Sequence, residues 1–281
     1  MAFILLPLAT VLLPYSSGNA LIRTVARRAW LLEGRSVQAL QAATPYVDIA
    51  EGEAWKYRWR LAELSDARDM WYCLLGRSGA LSAHLQCSGL PAPETGLVLV
   101  GAHWGTGLRA LVAFRQARLQ PRFVYRKVER AILRAAPFQY LYLKGLVVCI
   151  DRLSAGRAIE VPGARRAFQA ALTEPGSPVI LLDAPALNPG VSLCASVLDR
   201  QAEFNRNGAA VLAEGGARCV FYSSGVSASG EAELECTTAA SCNNAERLMQ
   251  DYGAFLTRLL HRDSAQWRLW HAAPQFFRDP A

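Results

Sequence analysis

In Val98-Leu-Val-Gly-Ala-His-Trp-Gly-Thr-Gly-Leu108, an apolar run ends on an imidazole and glycines open the next segment. A histidine that closes a buried strand and begins a helix lies where a side chain can reach a substrate, beside backbone N–H groups that suit an anion. As a general base, His103 needs only a neutral ring near the proton of a hydroxyl or amine. A partner carboxylate ordinarily fixes the tautomer of such a ring and stabilises the imidazolium that forms. Gly105 and Gly107 would let a substrate approach the backbone. Thr106 is expected to cap the following helix, with donation to an oxyanion as its alternative role.

The elements that must position these residues alternate after about residue 90. "LVLVGA" predicts a buried strand, "LRALVAFRQA" a helix, "RFVYR" a strand, "VERAILRA" a helix and "LVVCI" a strand. "GARRAFQAALTEPG" then predicts a helix closed by Pro-Gly, and "SPVILLDAP" a strand that ends at Asp183. "NGAAVLAEGG" predicts a helix, "ARCVFYSS" and "EAELECTT" strands, and residues 243–261 a long helix. Strands and helices at this interval predict an α/β fold, a mixed and largely parallel sheet flanked by helices, with functional residues at strand ends. Residues 1–90 form an N-terminal helical segment and 91–281 the α/β core, without a linker between them. Within the first part, Tyr57, Leu61 and Leu64 share one helical face and are packing residues.

Composition narrows the function classes. Formal charge is +7, with arginines at 23, 27, 28 and 35 and a second group between 109 and 134. A positive surface suits an anionic partner, but only three lysines occur and no nucleic-acid module is recognisable, so no nucleic acid is expected. Seven cysteines without a C-x-x-C pair indicate reduced, mostly buried thiols. The four histidines fall in no metal-ligand spacing, so neither metal nor cofactor is expected. No G-x-S-x-G elbow supports a serine hydrolase. Residues 2–15 are nearly all apolar but too short to span a bilayer, and arginines follow rather than precede them. They read as an interfacial anchor, with a buried first helix as the alternative.

"GAHWGTGLRAL" resembles the H-x4-D/E box of the bacterial lipid A late acyltransferase family, within the lysophospholipid acyltransferase superfamily. "FVYRKVERAIL" is similar to that family's second block, with Arg126 at its arginine, and "GARRAFQAALTEPGSPVILLDAP" to the segment that puts Asp183 near a family acid. "FLTRLLHRDSAQWRLWH" resembles the closing aromatic run, through Gln266, Trp267, Trp270 and His271. The resemblance implies an acyltransferase, peripheral on the cytoplasmic face of a bacterial inner membrane. It would take an acyl chain from acyl carrier protein or coenzyme A to a hydroxyl or amine of a lipid, a glycolipid or a secondary metabolite. Arg126 and Lys127 would meet a phosphate or the acidic carrier, and Trp104 an acyl groove or the core.

The chain departs from the family at the acid, because Leu108 stands five residues after His103 and no carboxylate lies between Glu94 and Glu129. Three explanations follow. His103 is oriented by a backbone carbonyl or by a remote acid, Asp151, Asp183 or Glu129; or a better nucleophile needs only a solitary histidine; or catalysis is lost and the chain only binds acyl chains or acyl carrier protein. Loss of an orienting acid costs about 10⁴-fold in turnover.

Overall fold

A computed structural model describes residues 4–28, 32–161, 163–186, 191–238 and 240–277. The chain opens with α1 (Leu5–Val11), α2 (Tyr15–Arg27), α3 (Glu33–Ala43), the long α4 (Gly52–Leu74) and the short α5 (Gly79–Ala83). Next come β1 (Leu85–Ser88), β2 (Leu97–Gly101), α6 (Gly107–Gln116), β3 (Pro121–Arg126), α7 (Ala131–Ala135), α8 (Pro137–Leu153), β4 (Ile159–Val161), α9 (Arg165–Thr173) and β5 (Ser177–Leu181). The last third holds β6 (Ser192–Val197), β7 (Arg200–Asn205), α10 (Arg206–Glu214), β8 (Arg218–Val226), β9 (Ala232–Cys236), β10 (Ala240–Ser241), α11 (Ala245–Asp263) and α12 (Ala273–Phe276), with short 3₁₀ turns at Ser264–Gln266 and Trp270–Ala272.

The main sheet runs β1-β9-β8-β2-β5-β3-β4, with β10 beside β8. β2 pairs in parallel with both β8 and β5, and β3 with both β5 and β4. The antiparallel exceptions are β8 with β9 and with β10. This is the expected α/β architecture. Every residue of β2 is buried, as a central strand with two covered faces requires. Successive side chains alternate between faces: Val98 and Val100 join the core under α9, α10 and α11, whereas Leu97 and Leu99 join the core under α4, α6 and α8.

That division has a topological consequence. The chain leaves β2 through α6 on one face, and leaves β5 towards α10 on the other. Neighbouring strands whose outgoing connections diverge open a crevice at their carboxyl ends, the usual place for a ligand in such a sheet.

Several sequence expectations are revised. "LVVCI" is not a strand but the second half of α8, which starts on Pro137 at its first turn and buries Tyr142, Cys149 and Leu153 along one side. A five-residue apolar run has no period of its own, and its helical neighbours decide its state. β1 lies inside the expected helical segment and pairs with β9, so residues 1–90 contribute a strand to the sheet. β4 and the antiparallel hairpin β6–β7 also escaped the reading. In β7, Ala202 and Phe204 are buried between polar residues, an alternation too short to stand out in "RQAEFN". Leu61 and Leu64 are buried as expected. In α1, Val11 is buried while Leu5, Leu12 beyond it and Leu13 are exposed; residues 1–3 lie outside the described part. Among the described residues, no helix is long and apolar enough to cross a membrane.

Candidate active site

Parallel pairing brings His103 and Asp183 together. β2 and β5 align Leu99 with Val179, Val100 with Ile180 and Gly101 with Leu181. Two residues further on, at the carboxyl ends of both strands, the same register sets His103 opposite Asp183. β8 aligns Val100 with Phe221 on the other side of β2, and the same continuation brings Ser224 level with His103.

Asp183 is fully buried and engages both ends of the histidine. Its Oδ1 lies 2.8 Å from His103 Nδ1, and its Oδ2 accepts the His103 backbone N–H at 2.7 Å. Trp267 Nε1 donates to the same Oδ2 at 2.9 Å. A ring nitrogen facing a carboxylate carries the proton, so Nε2 keeps its lone pair. The imidazole is 41% exposed while its acid has no exposure, so the ring faces outward from a sealed support. Tyr252 donates from its hydroxyl to Gly101 O at 3.1 Å, directly beneath the pair. Burial, and then the nearby Asp183 charge, push its pKa well up, which keeps it a neutral donor.

The loop between β2 and α6 has almost no free backbone. Trp104 N–H donates to Ala102 O, Gly105 N–H to Gln266 O, and Thr106 N–H to Ser224 O. In return, His103 O accepts from the Arg268 backbone, Gly105 O from Arg268 Nε at 3.1 Å, and Thr106 O from Ser224 Oγ at 2.8 Å. Gly105 adopts a φ of +55°, and a Cβ there would stand 2.3 Å from Ser224 O, so conformation and space both demand glycine. Arg268 is anchored in turn by Asp66 at 3.2 Å and Glu63 at 3.4 Å, and Asp66 also accepts from the Tyr142 hydroxyl. Burial pulls the Arg268 pKa down, but Asp66 and Glu63 outweigh it and the net direction is up. The guanidinium remains a fixed charge.

The expected substrate-binding residues divide. Trp104, Gly105 and Thr106 are buried in the wall behind His103. Thr106 does occupy the N-cap of α6, yet its side chain makes no capping bond there, contrary to expectation. Gly107 is exposed, and a Cβ on it would meet nothing within 4 Å. Substrate access to the backbone is therefore open at Gly107 and closed at Gly105. The Thr106 side chain therefore supplies no acceptor to the N–H groups of the first turn of α6. Arg126 and Lys127 are exposed at the end of β3, the strand beyond Asp183, and Arg126 bonds Glu129 at 2.8 Å.

Of the three remote acids considered, only Asp183 reaches the histidine. Glu129 is occupied with Arg126, and Asp151 is exposed on α8. Leu108 is buried in the core beneath α6, so the position five residues past His103 points away from the crevice. Arg268, Ser224 and Tyr252 carry no local sequence signal for a place in the site, and Trp267 is visible in sequence only as part of an aromatic run. Among the described residues, no three His, Cys, Asp or Glu side chains converge as metal ligands would. No family model matches the chain, and no curated protein matches it either.

Proposed function

We propose that the chain is an acyltransferase that moves an acyl group from a thioester of acyl carrier protein or coenzyme A to a hydroxyl or amine of a lipid, glycolipid or secondary metabolite. The observation that carries the reading is the outward-facing His103 ring held through Nδ1 by a buried Asp183. The acid missing five residues past the histidine has a replacement from the neighbouring strand.

In this mechanism His103 Nε2 takes the acceptor's proton as the oxygen or nitrogen attacks the thioester carbonyl. Asp183 stabilises the resulting imidazolium without taking its proton. The oxyanion that forms is met by N–H groups of the first turn of α6 beside Gly107. Collapse breaks the C–S bond, and the imidazolium returns the proton to the departing thiolate. The products are an ester or amide and a free thiol. Binding is aided by the exposed Arg126 and Lys127, whose charge suits a carrier phosphate or an acidic carrier protein.

The test is a panel of acyl-carrier and acyl-coenzyme A thioesters with candidate acceptors, read by mass spectrometry of acylated products and by thiol release, beside His103→Ala. Product that depends on His103 supports transfer and names the acceptor. Thioester binding that persists in the variant, with no product from either protein, moves the assignment to a non-catalytic acyl-binding protein.

A further inference from the structure

We infer that the α7–α8 hairpin seats the protein on an anionic lipid surface at the rim of the crevice. The inference deepens the proposed function by selecting an acceptor or donor that resides in a membrane, and it rests on that reading for its purpose only.

The hairpin is far more apolar than its burial explains. α8 reads PFQYLYLKGLVVCIDRL; Tyr142, Cys149 and Leu153 are buried and Leu143, Leu146 and Ile150 pack partly against the same core, whereas Phe138, Leu141 and Val148 stay exposed and α7 buries nothing. Leu133, Phe138 and Leu141 expose 45%, 47% and 54% of their surface. Leu141, Lys144 and Val148 lie at i, i+3 and i+7, so a lysine sits within an exposed apolar line. Single exposed leucines are ordinary, but a cluster on one hairpin marks an interaction surface.

Charge selects the partner. Arg126, Lys127, Arg130, Arg134 and Lys144 are all exposed along this stretch, and the acid among them, Glu129, is bonded to Arg126. Apolar side chains ringed by long cationic ones match a layer whose interior is hydrocarbon and whose surface is phosphate. The packing agrees, because α7 packs mainly on α8 and buries none of its residues. The position agrees as well. The hairpin follows β3, whose carboxyl end lies one strand from Asp183, so a lipid surface touching it lies beside the crevice. This seat is separate from the apolar N-terminal run.

Vesicle sedimentation tests the inference without any turnover. Vesicles of phosphatidylcholine with 30% phosphatidylglycerol, about a third anionic lipid, are compared with phosphatidylcholine alone. The wild-type chain should bind the anionic vesicles at least tenfold more tightly, a preference that fades at high salt. The triple variant L133Q/F138Q/L141Q should lose at least tenfold; its positions are exposed, and circular dichroism checks that it folds. R130Q/R134Q should lose roughly 25-fold on anionic vesicles, at about fivefold per charge. His103→Ala should bind as wild type, which separates this result from failure of the transferase reading. Absence of wild-type binding, equal binding by the triple variant, or loss confined to L5Q/L12Q/L13Q would overturn it. So would a lipid-free dimer that the triple variant dissociates, which would assign the hairpin to a second copy of the chain.

Discussion

Two aspartates with no exposed surface, Asp69 and Asp183, meet basic partners, and their surroundings differ. Asp69 on α4 accepts from Arg109 of α6 through Nε and Nη2, a bidentate pair on one edge of the guanidinium with Nη2 at 2.9 Å, and Arg68 stands 3.8 Å away. All three side chains are fully buried, so the cluster is closed to substrate and clamps α4 to α6. Burial pulls the Arg109 pKa down, but the Asp69 carboxylate outweighs it and the net direction is up. Asp183 is equally buried, yet its partner's ring is open to solvent. A carboxylate in the interior is costly unless its bonds are made, and both are bonded. One set of bonds ends inside the core, and the other ends on a ring that can exchange a proton with substrate.

Asp183→Asn breaks that contrast at its most sensitive point. The amide keeps the shape but offers an N–H towards Nδ1, which forces the proton onto Nε2 and removes the base. Turnover should fall about 10⁴-fold, equivalent to roughly 5.4 kcal/mol of barrier, while the melting temperature moves by only a few degrees. Steady-state kinetics and a thermal melt on one preparation decide it. A loss of stability as large as the loss of rate would make Asp183 a second clamp.

Asp69→Asn should show the converse. Removing one partner from a buried ion pair costs about 3 to 5 kcal/mol, and here two arginines would be left without their counter-charge. A urea titration should show that loss, while the folded fraction keeps its turnover number. A rate defect out of proportion to the unfolded fraction would join the Asp69 cluster to the chemistry.

Arg268 tests how rigid the support for His103 must be. It donates to Gly105 O by side chain and to His103 O by backbone, and is itself held by α4 through Glu63 and Asp66. Arg268→Lys keeps the charge but replaces the planar fork with a point donor. A small displacement of the loop should lower kcat by about 10 to 100-fold, with KM and the pH profile unchanged because the base itself remains. A shifted pH profile would show that Arg268 acts on the proton rather than on position.

The sequence carried the two halves of the site and concealed their union. "LVLVGAH" and "VILLDAP" each show an apolar strand that ends on a chemically useful residue, and both strands and the helices between them are legible. Nothing local states that positions 103 and 183 share a level; that follows from β2 and β5 pairing with an offset of 80 residues. The search for an acid near His103 in sequence therefore met only Leu108, which packs inward. The α8 error has a related cause. Apolar runs are ordinarily read as strands buried on both faces, and here Cys149 is buried, Leu146 and Ile150 are half-buried against the core and Val148 is exposed, as on one side of a helix.

Trp267→Phe gives the smallest effect and the finest test of the comparison. The indole fills space between Asp183 and Trp270, whose ring meets it edge-on at a centroid distance of 4.7 Å, and phenylalanine keeps part of that packing. The variant loses one hydrogen bond to Asp183 Oδ2, which still accepts from the His103 backbone. A hydrogen bond to a charged group contributes about 1.5 to 3 kcal/mol, and the remaining donor softens the loss, so kcat should fall by roughly tenfold. A lower kcat with KM unchanged would mean that Trp267 orients the pair. A loss near that of Asp183→Asn would mean that the indole N–H fixes which carboxylate oxygen faces the ring, making Trp267 as necessary to the base as the aspartate.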